Sequence, residues 1–528
     1  MRRRSLMTAA GAALLPLAYP ALGQNAAAKT LVFVPATNLN SLDPIWTSAT
    51  VTRNYSFLVF DTLYGVTAKM EPRPQMAEGH TVEDNGLRWT VRLREGLRFH
   101  DGEPVRARDC TASLARWMKR DIVGQQIVAR LDAMEAPDDR TLVFRLRKPF
   151  PALLFALARS QPNTAVMMPE RLANVDAYKQ LSEVVGSGPM RFVPNEYVSG
   201  AQAVFTRFDG YASRTEPADF TAGAKRMLLD RIEWHILPDP ATQANALRAG
   251  EVDWVEQPLP DLLDELRADR NLVVERQDPY GIAPFLRLNH LQPPTSNLAF
   301  RQVVLAAIDQ TELMTALMGE DRTAYNAPVG MYMPDGESAS PAGMELVAGG
   351  RSEDELRRML AASGYAGETL LLMHPTDQHF YDVMTSVVSA RLKRIGIKVD
   401  DVAMDYGTVV QRRVSKEPLA KGGWSAFIAG FPAVDNGSPL ASSGLRANGP
   451  AAWFGWPDDP RLEALREAWL DAADPIARQK VADDIQVRAL DQVMYVPLGQ
   501  YFQSTAFRRN LSGVLKGPAP VFWNISKS

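Results

Sequence analysis

Strand and helix patterns alternate along this chain, and a sequence of that kind is committed to layered α/β packing, with helices covering sheet faces. The alternation is plainest in the second half. A strand at 285–289 is followed by helices at 298–309 and 311–318, then helix 353–363, strand 369–373, helix 381–395 and strand 398–404. The first half opens on a β-branched and aromatic run at 30–36 that stops at Pro35. At 87–94, Leu87, Trp89, Val91 and Leu93 share one face, while Arg88, Arg92 and Arg94 take the other. The segment 141–147 repeats that period with Leu142, Phe144 and Leu146, which predicts two half-buried antiparallel strands. Between them, 108–118 has apolar residues at helical spacing, with Asp109 in the first turn where a negative charge suits the helix dipole. Strand 231–237, helix 240–249 stopped by Gly250, and strand 252–255 complete this half.

A chain of 528 residues exceeds one core and is expected to form two or more lobes. Hydrophobic residues at 46% and charged residues at 23% supply enough apolar surface for large cores and do not match disorder. The formal net charge of −3 argues against a nucleic-acid partner, which would be met by a basic surplus. Cys110 is the single cysteine, so no intrachain disulfide or cysteine-based metal cluster can form, and its helical context predicts a packed core thiol. Residues 1–23 read as an export signal. Arg2, Arg3 and Arg4 precede an apolar stretch that ends at Ala21-Leu22-Gly23, and Arg3-Arg4-Ser5-Leu6-Met7 follows a twin-arginine pattern. Prolines 16 and 20 interrupt the stretch and no cysteine follows it, so neither a retained span nor a lipid anchor is expected there. A soluble periplasmic protein is expected.

Motifs for metalloproteases, dinucleotide sites, phosphate-binding loops and nucleophile elbows are all absent. No catalytic residues are assigned, and no cofactor is expected. His374 and His379, with Asp377 between them, form the one local cluster that approaches a metal site. Their spacing does not suit a single helix face and Pro375 makes the segment a loop, so no metal is assigned to them. His100, in a turn with Asp101-Gly102, reads as a hydrogen-bonded turn residue.

The ordered run from GluProArgProGlnMetAlaGlu at 71–78, through Trp89-Thr90-Val91-Arg92-Leu93-Arg94, to Gly96, Phe99-His100-Asp101-Gly102 and Pro104 carries a specific likeness. It resembles the signature of the extracellular solute-binding proteins of peptide and nickel ABC importers. Gly186-Ser187-Gly188-Pro189-Met190 resembles that family's Gly-Thr-Gly-Pro-Tyr, and Leu288-Asn289 with Phe300-Arg301-Gln302 resembles the entry to its second lobe. The segment 424–432 resembles a strand of the cleft wall. The resemblance implies a two-lobed α/β periplasmic binding protein, with an extra subdomain inserted in the first lobe and a ligand cleft between lobes. On this reading 24–54, 187–283 and 500–528 form the core of lobe I, 55–186 the inserted subdomain and 284–499 lobe II. Partners would be a peptide or other small polar solute and an inner-membrane ABC permease and ATPase, with the binding protein itself a monomer.

In peptide-binding members of the family, an Asp after the Trp-containing strand pairs with the ligand's α-amino group. Aligning Trp424 to Phe431 with that strand sets Gly430 at the Asp position, and Asp435 then becomes the candidate replacement. Trp424, Phe431 and Tyr406 are candidate apolar contacts, and Asn38, Leu39 and Gln126 are candidate contacts from lobe I and its insert. Gln125 shares the last role with Gln126. Other readings remain open at this point. They are an exported hydrolase using carboxylates that cannot be paired from sequence, and a binder of a metal chelate or an opine-like solute.

Overall fold

The computed structural model describes residues 29–472 and 474–528, so the expected export signal lies outside the described residues. Two seven-stranded sheets form the body of the molecule. The first runs in the order Met190–Phe192, Gln202–Arg207, Arg231–His235, Thr30–Val34, Trp254–Val255, Ser504–Arg508, Leu272–Arg276. Thr30–Val34 pairs in parallel with both neighbours, and such a strand must be apolar on both faces. Leu31, Phe33 and Val34 are accordingly buried, and Phe33 packs edge-on against Trp254 and Phe522.

In the second sheet, Ile282–Leu288 and Ala426–Pro432 are antiparallel neighbours, and Leu370–Pro375 joins Ala426–Pro432 and Val399–Met404 in parallel. Leu370–Pro375 is buried at every residue because helices cover it, which suits the LeuLeuLeuMet run it contains. Helices Pro240–Ala249, Leu298–Ala307, Gln310–Met318, Glu353–Ala362 and His379–Arg394 match the sequence expectation to within two residues at each end. Their caps account for this. Asp239, Asn297, Asp309 and Ser352 each accept a backbone N–H of the first turn, and Gly250 closes its helix in the left-handed region at φ 80°.

A four-stranded antiparallel sheet orders as Ala77–Glu83, Arg88–Leu93, Thr141–Leu146, Leu131–Asp138. Trp89 stands opposite Phe144 and Val91 opposite Leu142, so the two alternating strands recognised in the sequence are direct partners. Helix Ala107–Met118 packs on this sheet and contributes Leu114, Trp117 and the fully buried Cys110, whose thiol is pushed up by burial. The glycines at 186 and 188 lie against the backbone of helix Thr50–Val59. A Cβ on Gly186 would fall 1.7 Å from the carbonyl oxygen of Val59, so no larger residue fits. His100 donates its backbone N–H to Gly186 and lies 2.9 Å through Nε2 from the carbonyl of Gly188. The expected hydrogen-bonded turn is therefore present, and it joins two of the segments that carry the family likeness.

The chain passes from the first sheet to the second after Arg276 and returns before Ser504. Ile282 pairs with Tyr501, so both belong to the second sheet and the passages lie at 277–281 and 502–503. The expected division at 283/284 and 499/500 thus cuts through paired strands. Pro284 lies within strand Ile282–Leu288, and a proline is tolerated there where its neighbour does not need its N–H. Among the described residues, no helix is long and apolar enough to cross a membrane.

Candidate functional site

The two chain passages and the ends of both large sheets enclose a cavity of about 220 Å³. Helix Thr50–Val59 presents Arg53 to it. Glu256 follows strand Trp254–Val255 directly, and Gln277, Asp278 and Gln503 come from the passages themselves. The opposite wall is built by Gly430 and Pro432, by Phe380 and Tyr381 at the start of helix His379–Arg394, and by Tyr406. Tyr381 and Tyr406 stack at 5.3 Å with an interplanar angle of 5°, and Phe380 stacks on Tyr501 at 5.0 Å and 8°.

The charged groups are held by short local bonds. Arg53 donates through Nε and Nη2 to Asn54 Oδ1 at 3.1 and 2.9 Å, and Asn54 Nδ2 donates to Glu256 Oε1 at 2.8 Å. The other Glu256 oxygen accepts the Ala36 N–H at 2.8 Å. Asp278 Oδ1 accepts the Tyr280 N–H at 2.8 Å. Burial raises the pKa of Glu256 and pushes Asp278 up to about 6, and it lowers that of Arg53.

A second cavity, of about 240 Å³, adjoins the first and is lined by Met70, Phe155, Arg159, Met333 and Val434 among others. Asp435 lies between the two, in the helical turn Ala433–Asn436 that leaves strand Ala426–Pro432. Its side chain is 12% exposed, and Arg159 Nη2 approaches it at 3.8 Å. That guanidinium is committed elsewhere, because Nη1 holds both oxygens of Asp121 at 3.1 and 3.0 Å. Asp435 Oδ1 is left buried without a hydrogen-bond partner. Burial pushes this carboxyl up to about 7, although Arg159 and Arg53 pull the other way.

The expected site residues separate into two sets. Tyr406 and Gly430 line the first cavity, and Asp435 stands beside Arg159 of the second and three residues after Pro432 of the first. Trp424 is instead fully buried against Phe427 and Trp456, which corrects its expected place on the cleft wall. Phe431 is corrected by the period of the strand: Gly430 and Pro432 face the cavity, so Phe431 turns to Phe285 and Trp453. Leu39 is 1% exposed in the core, and Asn38 bonds to Asn40 and to the Gly200 N–H, while Ala36 and Thr37 line the cavity in their place. Gln126 accepts from Arg130 at 3.2 Å, outside both cavities.

That last contact belongs to a bridge between the inserted segment and the second-sheet region. Arg130 binds Glu467, Lys148 Nζ lies 2.6 Å from Asp471, and Arg446 donates to Gln125 at 3.2 Å. Arg53, Glu256 and Asp278 were missed in the sequence because they lie far apart along it. One signal was available: Glu256 sits at the carboxyl end of a strand, where open α/β sheets place ligands. His374 is flanked by Asp401 and Asp382, each 2.7 Å from one ring nitrogen, and among the described residues no group of three potential ligands is arranged for a metal.

Residues 71–448 match the model of the bacterial extracellular solute-binding proteins, family 5. The chain belongs to this family. It is 33% identical over 532 residues to a probable peptide ABC transporter periplasmic-binding protein of Sinorhizobium fredii, covering 100% of this chain and 99% of that one. A glutathione-binding protein of Salmonella typhi is 25% identical over 519 residues, covering 96% and 95%. The fold matches the dipeptide binding protein of Pseudoalteromonas sp. SM9913 in complex with Met-Leu at TM-score 0.79 and 19% identity, covering 94% of this chain and 100% of that one. It matches AgaA of A. tumefaciens R10, in complex with agropinic acid, at TM-score 0.79 and 20% identity, covering 94% and 99%. The expected two-lobed α/β architecture is thus the family's, and its members are solute-binding proteins rather than enzymes.

Proposed function

We propose that this chain is the periplasmic substrate-binding component of an ABC importer, and that it captures a peptide bearing a free amino terminus between its lobes. Asp435 is the anchor for that amine. The observation that carries this reading is its buried oxygen without a partner, in the turn that follows Pro432 of the first cavity's wall and Val434 of the second's. A buried carboxylate in that condition is costly, and a ligand ammonium would relieve the cost. Tyr406 and Gly430 supply part of the wall of the neighbouring cavity. Lobe I core, insert and lobe II follow the division expected from the sequence, with the hinge moved to the passages at 277–281 and 502–503. Closure is selected because only the closed form lets a ligand touch both walls. The relatives named above as peptide-binding and glutathione-binding support the ligand class.

Thermal unfolding of ligand-stripped protein with di- to pentapeptides, each with free and N-acetylated amino termini, tests it. Free-amine peptides at about 100 times their dissociation constant should add roughly 2.7 kcal/mol. Equal stabilisation by acetylated peptides, or none by either, would remove the amine-anchored peptide reading.

A further inference from the structure

The second cavity, of about 240 Å³, takes its apolar wall from two separate parts of the fold. Val66, Met70 and Phe155 come from the inserted segment, and Met333 and Val434 from the region of the second sheet. Met70 and Phe155 are only half-buried, so each still has apolar surface that an occupant could cover. The cavity also stands next to the proposed amine anchor. Val434 immediately precedes Asp435, and Arg159, another residue of the wall, lies 3.8 Å from that carboxylate.

Most polar groups of this wall are already engaged. Arg159 holds both oxygens of Asp121 through Nη1 and donates through Nε to Gln161 at 3.2 Å. The Tyr280 hydroxyl donates to the carbonyl of Ala68 at 2.8 Å, and Glu337 faces Arg478 at 3.7 Å. Lys69 and Asp335 are exposed to solvent and opposite in sign. What is left for a ligand is apolar surface with a few small polar groups, among them the Ser160 hydroxyl, which is buried with no hydrogen-bond partner. The first cavity differs in kind, because Arg53, Glu256, Gln257, Gln277, Gln378 and Gln503 give it a wall suited to the amides of a ligand backbone.

Resting on the peptide-binding reading above, we infer that the second cavity is the specificity pocket for the ligand's first side chain and that it selects a large apolar one, such as leucine, methionine or phenylalanine. Met70 and Met333 let the pocket accept more than one apolar shape, because an unbranched thioether rearranges around its occupant. A charged side chain would give up its hydration for groups that are already paired or exposed to water. The pocket also ties selection to closure, since an apolar side chain in it touches the insert and the second-sheet region at once.

Isothermal titration of the ligand-stripped mature protein with Leu-Ala-Ala, Asn-Ala-Ala, Ala-Leu-Ala and Ala-Ala-Ala tests the inference. Asparagine has nearly the size of leucine without its apolar surface. Leu-Ala-Ala should bind about tenfold or more tightly than Asn-Ala-Ala or Ala-Ala-Ala. Met333→Gln on one wall and Phe155→Ser on the other should each shrink the ratio of the leucine to the asparagine peptide, which is measured within one protein and so does not depend on how much of the variant folds. Equal binding of Leu-Ala-Ala, Asn-Ala-Ala and Ala-Ala-Ala overturns the inference and leaves the peptide reading standing. Binding of Ala-Leu-Ala as tight as that of Leu-Ala-Ala overturns the assignment to the first side chain. A leucine preference that survives both substitutions unchanged overturns the assignment to this cavity. Silence from all four peptides overturns both the inference and the peptide reading.

Discussion

Replacing Asp435 by asparagine should stabilise the ligand-free protein at alkaline pH while destroying its response to ligand. The carboxyl is raised by burial from an ordinary 3.8 to about 7, so it carries a proton in the folded protein at pH values where the unfolded chain has lost it. A raised acid weakens the fold as pH rises: nothing is lost below the unfolded value, and the loss grows through the window from about 4 to 7. At roughly 1.4 kcal/mol per pH unit, the ionised form costs the folded state about 4 kcal/mol above pH 7. The attraction to Arg159 at 3.8 Å is already contained in that raised value, so removing the charge gains about 4 kcal/mol. With an unfolding entropy of about 2.1 cal/mol/K per residue over some 500 residues, that gain raises Tm by about 4 °C. Calorimetry of Asp435→Asn against the parent should therefore show this difference at pH 8 and almost none at pH 4. Titration with a free-amine peptide should show the parent binding about fourfold more tightly at pH 8 than at pH 6, because the roughly tenfold gain from Asp435 losing its proton is partly offset as the peptide's amine, titrating near 7.7–8.0, loses its own. Asp121, Arg53 and Arg159 also face this carboxyl and stay in place in the variant, as does Asp278 beside Arg53, so the difference between the two proteins isolates Asp435. A variant that is no more stable than the parent at pH 8, or that keeps the parent's affinity, refutes the reasoning.

Three further perturbations separate cleft, core and bridge. Trp424→Ala removes a fully buried indole and should cost about 3–5 kcal/mol in denaturant unfolding, with ligand affinity kept in the molecules that remain folded. Gly430→Val brings new atoms where a Cβ would already sit 3.0 Å from Ile282 Cγ2 and 3.5 Å from the Tyr381 hydroxyl. It should weaken peptide binding by tenfold or more on a titration, while overpacking costs the fold only about 1–3 kcal/mol. Glu467→Gln combined with Asp471→Asn removes both carboxylates of the bridge to Arg130 and Lys148, and small-angle scattering should show a more open ligand-free protein with a few-fold weaker affinity. An unchanged scattering profile would mean that the bridge does not bias closure.

Local periodicity made the frame of this protein readable, and tertiary placement hid most of the cleft. Trp89 facing Phe144, or Gly250 ending its helix, follows from two-residue and 3.6-residue repeats that a sequence displays openly. Asp435 was readable because it lies within a few residues of the strand that carries the family likeness, and Tyr406 because an aromatic opens a short helix there. Trp424 and Phe431 were misplaced for a shared reason. A strand offers two faces, and apolar residues alone do not say which face meets a cavity and which meets Trp453 or Trp456. Arg53, Glu256 and Asp278 converge only because two chain passages and a strand end meet at one point, which no local pattern encodes. Ile282 pairs with Tyr501, so the second sheet begins two residues before Pro284, where the sequence pattern sets the start of the second lobe.

The bridge and the cleft act on closure in opposite directions. Arg130 with Glu467 and Lys148 with Asp471 draw the inserted segment to the second-sheet region through opposite charges, and they do so whether or not a ligand is present. Bringing the walls together without ligand also gathers Asp435, Asp278 and Glu256 around Arg53 in a space that excludes water, and the raised values of these carboxyls record what that costs. The proton that Asp435 shares near pH 7 is a partial substitute for a ligand's cation. On the proposed reading, a ligand ammonium at Asp435 replaces that proton and favours closure by relieving part of the cost of the buried carboxylate. A neutral solute of the same shape gives no such relief. It has to close the lobes on apolar and hydrogen-bonding contacts alone.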